Sequence, residues 1–188
     1  MEKNPVFQVD DPEYRARWLD RSDTCILQDL LDRCPDYAEI VEGQGVSPTA
    51  AEELFESLPP GGSYSNKMVA GIIHPERKLV GVLEGMRSYP EQDIWWIGLL
   101  LLDPTVRHRW LGRRVAESFI EYAGGSGAKA VMLGVVEDNL DALHFWSQNR
   151  FALVGEAEPR QFGKKTQSVY VMRRNIMAPT PEGNRINA

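Results

Sequence analysis

The sequence predicts a mixed α/β chain of the α+β kind, with helices packed on a mostly antiparallel sheet. Three observations carry that expectation. Short apolar runs rich in β-branched and aromatic residues recur between residues 68 and 172, parted by turn residues. Segments of helical periodicity stand before and between them. The 188 residues are 43% hydrophobic and 26% charged, enough apolar material for a real core, so a disordered chain is excluded.

From the N-terminus, SDTCILQDLLDRC sets Ile26, Leu27, Leu30, Leu31 and Cys34 at helical spacing, with Ser22 or Asp23 available as cap, and predicts a helix over 22–34. Ser47-Pro48 offers a cap followed by proline at the first helical position, and Thr49 with Glu52 fits a capping box ahead of Leu54, Phe55 and Leu58. This second helix stops at PPGG, residues 59–62. Strands are expected at 68–74, 78–86 and 94–102, as a meander that turns at HPER and YPE. Val115, Phe119 and Tyr122 predict a helix at 112–123, ended by Gly124-Gly125. A strand at 130–136, a helix at 139–149 and strands at 151–158 and 166–172 complete the order. The strands flanking the helix at 112–123 should run parallel through a right-handed crossover. The expected organisation is one domain over 1–176, with a helical region at 22–62 ahead of a core at 65–174. Residues 177–188 lack apolar periodicity and are expected to be a disordered tail.

Charge and composition narrow the function. The longest purely apolar stretch, Ile94 to Leu102, is nine residues, against roughly 20 for a membrane-spanning helix. A net charge of −6 argues against a nucleic-acid binder. The N-terminus lacks the basic-then-apolar pattern of a secretory leader, and Cys25 and Cys34 are the only thiols, so a reduced, cytoplasmic protein is expected. Neither cysteine has a histidine nearby in sequence for metal or nucleophilic work, and burial is the commoner fate of such thiols.

One segment concentrates chemistry. Residues 103–114, DPTVRHRWLGRR, run from a strand end to a helix start, where backbone N–H groups lack intrahelical partners. Arg107, His108, Arg109, Arg113 and Arg114 crowd there, with no acid after Asp103. Solvated surface is the bland reading of such arginines. Cations at a helix N-terminus oppose the macrodipole, however, so this cluster calls for a compensating anion.

The same segment resembles motif A of the GNAT superfamily of acyl-coenzyme A dependent N-acetyltransferases: a hydrophobic-x-Pro strand end, then (Gln/Arg)-x-x-Gly-x-(Gly/Ala). NLDALHFWSQNRF, from Asn139 to Phe151, resembles the motif that follows, Asn-x-x-Ala-x-x-(aromatic pair)-x-x-x-Gly-Phe. The resemblance implies a sheet of about six or seven strands with helices on both faces, splayed between strands 4 and 5. It implies acetyl-coenzyme A as cosubstrate, no metal, and a small-molecule amine as the other partner, on a monomer or homodimer without nucleic acid or membrane. Cofactor contacts carry over to Arg107, His108, Arg109, Trp110, Leu111, Gly112 and Arg113 at the pyrophosphate, and to Asn139, Ala142, Phe145 and Trp146. Backbone N–H groups of Leu100, Leu101 and Leu102 are implied as oxyanion donors, although these leucines also read as plain sheet core.

Three departures stand out. Trp110 replaces the first motif glycine and would let the backbone approach phosphate only with a negative φ and its ring turned away. Trp146 stands where many members carry a tyrosine acid; indole has no useful acidity, so it is expected to be a wall of the pantetheine channel. Gly134 stands where some members carry a catalytic glutamate. The remaining carboxylates are Glu84, Glu91, Asp93 and Glu137. Glu84 and Asp93 are the candidate bases, with a plain solvent face as the other reading of Glu84.

The expected activity is acetyl transfer to a primary amine by direct attack in a ternary complex. The alternative is a catalytically silent acyl-CoA-binding sensor. Residues 1–103 hold 9 basic and 19 acidic side chains, a balance of −10, and residues 104–188 hold 12 and 8, a balance of +4. That split points to a cationic acceptor meeting the acidic half.

Overall fold

The computed structural model describes residues 7–76 and 79–176; the tail expected at 177–188 lies outside them. The elements are β1 (Arg15–Trp18), α1 (Thr24–Asp32), α2 (Pro35–Glu42), α3 (Ala50–Glu56), β2 (Lys67–Ile73), β3 (Leu79–Met86), β4 (Ile94–Leu102), α4 (Leu111–Gly125), β5 (Ala130–Val136), α5 (Leu140–Gln148), β6 (Ala152–Phe162) and β7 (Lys165–Asn175). They build a seven-stranded sheet of order β1-β2-β3-β4-β5-β7-β6, antiparallel except for β4 and β5. The expected mixed, mostly antiparallel sheet is therefore present.

Each face of the sheet carries its own core. Leu111, Val115 and Phe119 of α4 and Trp146 of α5 bury against Ile72, Leu83, Trp95 and Leu133. Leu27, Leu30 and Leu31 of α1 and Ala51 of α3 bury against Val69, Leu79, Val82 and Leu101 on the opposite face. The apolar stripe of each helix is what fixes it to the sheet.

Several boundaries depart from expectation. The helix foreseen at 22–34 is shorter, α1 ending at Asp32, and a further helix that was not foreseen, α2, starts at Pro35 after Cys34 in a non-helical conformation. Proline disfavours helical geometry in the residue before it and itself suits a first turn. The second expected helix begins at Ala50 rather than at Pro48, without the capping box. The hydroxyls of Ser47 and Thr49 bond the Glu53 carboxylate instead of the helix backbone. Strand β1 was not foreseen, and β6 runs on through Pro159 to Phe162, with a register irregularity between Ala157 and Arg160. That proline is tolerated because β6 is an edge strand. Helix α4 extends through Gly124 and Gly125 to its cap at Ser126. Cys25 is exposed and only Cys34 is buried, against the expectation that both would be.

Two features of β4 position the site. Glu84 of β3 faces Leu99 while Gly85 faces Ile97, so Gly98 is an extra residue in the ladder, a β-bulge. The bulge shifts the alternation by one: Trp95, Ile97, Leu100 and Leu102 lie on the α4 side, while Leu99 and Leu101 lie on the α1 side. The second feature is that β4 pairs with β5 only from Ile94 to Ile97, after which the two strands part.

Candidate active site

The parting of β4 and β5 opens a cleft of about 590 Å³ through the sheet. Its floor is Trp96–Leu100 of β4 and Leu133–Val136 of β5, and Asn139, Ala142 and Trp146 of α5 wall one side. Asp103 N–H bonds Val80 C=O across the ladder with β3. By the alternation of an antiparallel pair, Leu101 then points its N–H at β3, while Leu100 and Leu102 point theirs at the gap. Of the three leucines expected to offer free donors, Leu101 is thus spent on the ladder. Leu102 C=O already accepts from Arg107 Nε at 2.8 Å and Cys34 Sγ at 3.5 Å.

Beyond β4 the chain makes a short 3-10 turn, Pro104–Val106, capped by Asp103, whose Oδ1 accepts from Thr105 N–H at 2.9 Å. Asp103 Oδ2 also takes Arg33 Nε at 2.6 Å, tying the end of α1 to the loop. The first backbone bond of α4 runs from Arg114 N–H to Trp110 C=O, so the N–H groups of Leu111, Gly112 and Arg113 have no intrahelical partner. They suit an anion, as does the positive end of a 15-residue helix.

Trp110 is the cap, with φ of +66° and its ring 69% exposed. The negative φ set as the condition for a close backbone approach at Trp110 is therefore not met. The backbone keeps the left-handed conformation that a glycine would adopt freely, and the tryptophan holds it at a cost of ~1–2 kcal/mol. His108 shares the feature, with φ of +59°. Gly112 has a different reason: a Cβ there would stand 3.3 Å from the Phe145 ring and 3.5 Å from Leu102, so glycine lets α4 close against α5.

The arginines divide. Arg107 makes a bidentate ion pair with Asp36 of α2 and bonds Leu102 C=O, so its guanidinium fastens the loop to α2 and is not the free phosphate contact expected. That pair holds the Asp36 carboxyl below the usual carboxylate range. Burial works against the Arg107 charge, but Asp36 outweighs it and the guanidinium is raised. Arg114 pairs with Asp11. His108, Arg109 and Arg113 are exposed at the loop, and among the described residues neither arginine closes an ion pair.

On the other side of the cleft, Glu84 is not on the solvent face. Its side chain is 14% exposed and its Oε1 takes Lys67 Nζ at 2.8 Å; Lys67 is 7% exposed and also donates to Ser57 C=O at 2.7 Å. A Cβ on Gly98 would collide with Glu84 Oε2, so the bulge glycine makes the space this carboxylate occupies. Tyr37, Trp96, Tyr89 and Phe162 supply aromatic wall, and Arg160 completes the charged lining. Burial, followed by the Glu42 and Glu84 carboxylates, pushes the Tyr37 hydroxyl up to about 12, so it stays a donor at all ordinary pH.

The structure brings together Glu84, Leu100, Asn139, Ala142 and Trp146 in the cleft. Asn139 caps α5 by accepting from Ala142 N–H at 3.1 Å, and Trp146 is buried against Phe145 and Phe151. Asp93 is not among them. It precedes β4 at the paired end, ~20 Å of strand from Leu99, and its bond to Lys129 holds it below the usual carboxylate range. Gly134 lies in the floor, where a side chain would meet Val169 at 2.8 Å, so the glutamate of some relatives has no room. Trp95 is core and Trp96 faces the cleft. Lys67, Tyr37 and Arg160 were missed. The expected acidic lining is absent too among the described residues: Glu84 shares the cleft with Lys67 and Arg160, and the excess carboxylates of residues 1–103 lie elsewhere.

The Acetyltransferase (GNAT) family model matches residues 6–151. No curated protein matches the chain in sequence. Among solved structures, an acetyltransferase from Thermus thermophilus superposes with a TM-score of 0.70 at 18% identity, covering 87% of this chain and 97% of that one. A spermidine N-acetyltransferase from Vibrio cholerae, in complex with CoA and spermine, gives 0.67 at 15% identity over 88% and 96%. The ribosomal-protein-S18-alanine N-acetyltransferase from Escherichia coli gives 0.65 at 13% over 90% and 97%. The open strand end, the helix N-terminus beside it and the family match agree: this chain belongs to the GNAT family of acetyltransferases.

Proposed function

We propose that the chain transfers an acetyl group from acetyl-coenzyme A to a primary amine seated on the α1 side of the cleft. The observation that carries this reading is the unpaired stretch of β4 beyond Ile97, which opens one gap to α5 and to the Glu84 side together. The residues fit the cosubstrate: partnerless N–H groups of Leu111, Gly112 and Arg113 suit its pyrophosphate, and Trp146, Asn139 and Ala142 suit its pantetheine arm. The cosubstrate supplies an acetyl thioester.

The chain's own residues then have three tasks. Glu84 Oε2 accepts a proton from the amine and orients its lone pair, while Lys67 holds the carboxylate in place. The Leu100 N–H, aimed into the gap, meets the negative charge that develops on the acyl oxygen. Water at the mouth protonates the departing thiolate, since a free thiol has a pKa of ~8.5. Direct attack follows because, among the described residues, no cysteine lines the cleft; burial raises the Cys34 thiol, and its Sγ is bonded to Leu102 C=O.

The lining favours an amine with an apolar or aromatic body. Tyr37, Val41, Pro59, Tyr89 and Trp96 offer area, while Glu84 is the lone carboxylate among the described residues of the lining and is already paired, a poor match to a polycation. The test is acetyl-CoA with a panel of polyamines, amino acids, aralkylamines and peptide N-termini, read by thiol release and product mass. Acetylation of at least one amine, with aralkylamines ahead of polyamines, is expected. Tight coenzyme A binding without turnover on any amine would establish the silent sensor instead.

A further inference from the structure

Trp110 is held in a way that costs the free protein twice. Its backbone is in the left-handed region, which a β-carbon disfavours, and its indole is among the most exposed large apolar side chains of the described residues. Its side chain makes no cap hydrogen bond to the helix it starts. Arg113 stands over the ring, with its guanidinium carbon 5.9 Å from the centroid. Strain and exposure at one residue of a binding loop point to a ligand that uses the ring.

Position says which part of the ligand. The pantetheine arm of an acyl-coenzyme A must run from the N–H groups of Leu111–Arg113 into the gap between β4 and β5. Trp110 does not line that gap. The group on the other side of the pyrophosphate, the adenosine, is therefore left at the outer lip, where the indole, Arg109 and His108 are exposed.

We propose that the Trp110 ring is a stacking platform for the adenine base of the acyl carrier, on the face opposite the one Arg113 covers, with Arg109 and His108 placed for the ribose phosphate. This rests on the acetyl-coenzyme A reading above. An aromatic face gives affinity to any purine and none to a carrier that lacks the base. The site therefore selects nucleotide-bearing acyl thioesters over acyl-pantetheine carriers.

The test uses calorimetric titration of coenzyme A and of 4′-phosphopantetheine, which lacks the nucleoside, into wild type, Trp110→Phe and Trp110→Gly. Trp110→Gly should lose about tenfold in coenzyme A affinity, Trp110→Phe under about threefold, and phosphopantetheine affinity should move by less than about twofold in either. Thermal unfolding of unliganded Trp110→Gly should not fall below wild type, because relief of the left-handed strain offsets the added freedom of the unfolded chain. A coenzyme A affinity unchanged in Trp110→Gly would overturn the proposal, as would an equal loss for both ligands, which would place the residue in the phosphate cradle. Failure of wild type to bind coenzyme A at all would remove the acetyl-CoA reading itself, a distinguishable result.

Discussion

The two sides of the cleft are made in opposite ways. The proposed pyrophosphate cradle comes from one continuous segment, Asp103 to Arg113, in which backbone donors, a short 3-10 turn and a helix start follow within a dozen residues. The proposed acceptor side is assembled from α2, the segment after α3, β2, β3, β4 and the β6-β7 hairpin. Its ion pair joins Lys67 and Glu84 across two strands. A locally encoded site binds a constant ligand through backbone geometry. A non-locally encoded one can change its contents residue by residue on the same scaffold.

The comparison can be strained from the cofactor side first. Gly112→Glu places bulk against Phe145 and a negative charge beside the partnerless N–H groups. It should weaken coenzyme A by about 1,000-fold or more, ~4 kcal/mol, with far-ultraviolet circular dichroism retained. Micromolar affinity in that variant would show that the phosphate cradle lies elsewhere.

A smaller effect is expected at the hinge between the two sides. Burial works to raise the Asp103 carboxyl, but its bonds from Thr105 and Arg33 outweigh this and hold it below the usual range. A depressed folded value contributes stability that is present above the unfolded pKa of ~3.9 and is lost as pH falls through the folded one. Asp103→Asn should therefore lose ~1–2 kcal/mol in urea unfolding at pH 7, and the gap to wild type should narrow as pH falls from about 5 and close only below the depressed folded value. A gap independent of pH would assign the loss to packing.

The same contrast explains what could be read in the sequence. Strands β2 to β5 were legible to within a residue or two because their apolar runs are bounded by turn residues. Strand β1, RARW, is four residues on a sheet edge with two arginines and gives no such signal; nor does EPRQF of β6, whose side chains are solvated. Helix α2 was not foreseen: its eight residues, PDYAEIVE, bury only Ala38 and carry too short an apolar stripe, although Pro35 suits a first helical turn. The loop at 107–113 stood out in the sequence because its basic residues are contiguous, yet the φ of Trp110 did not, since a side chain does not announce a strained backbone. Glu84 was legible only as a polar residue in an apolar strand. Its place in the cleft depends on the register that makes Gly98 a bulge, which no local pattern specifies.

The central claim is that binding and transfer reside on opposite sides of the splayed strands and can be separated. The direct measurement is kcat on the best amine together with the coenzyme A Kd, both for Glu84→Gln, which keeps the shape of the side chain and one acceptor for Lys67. A fall in kcat of about 10- to 100-fold with Kd unchanged is expected. An unaltered kcat, or a Kd that worsens in step with it, would contradict the account.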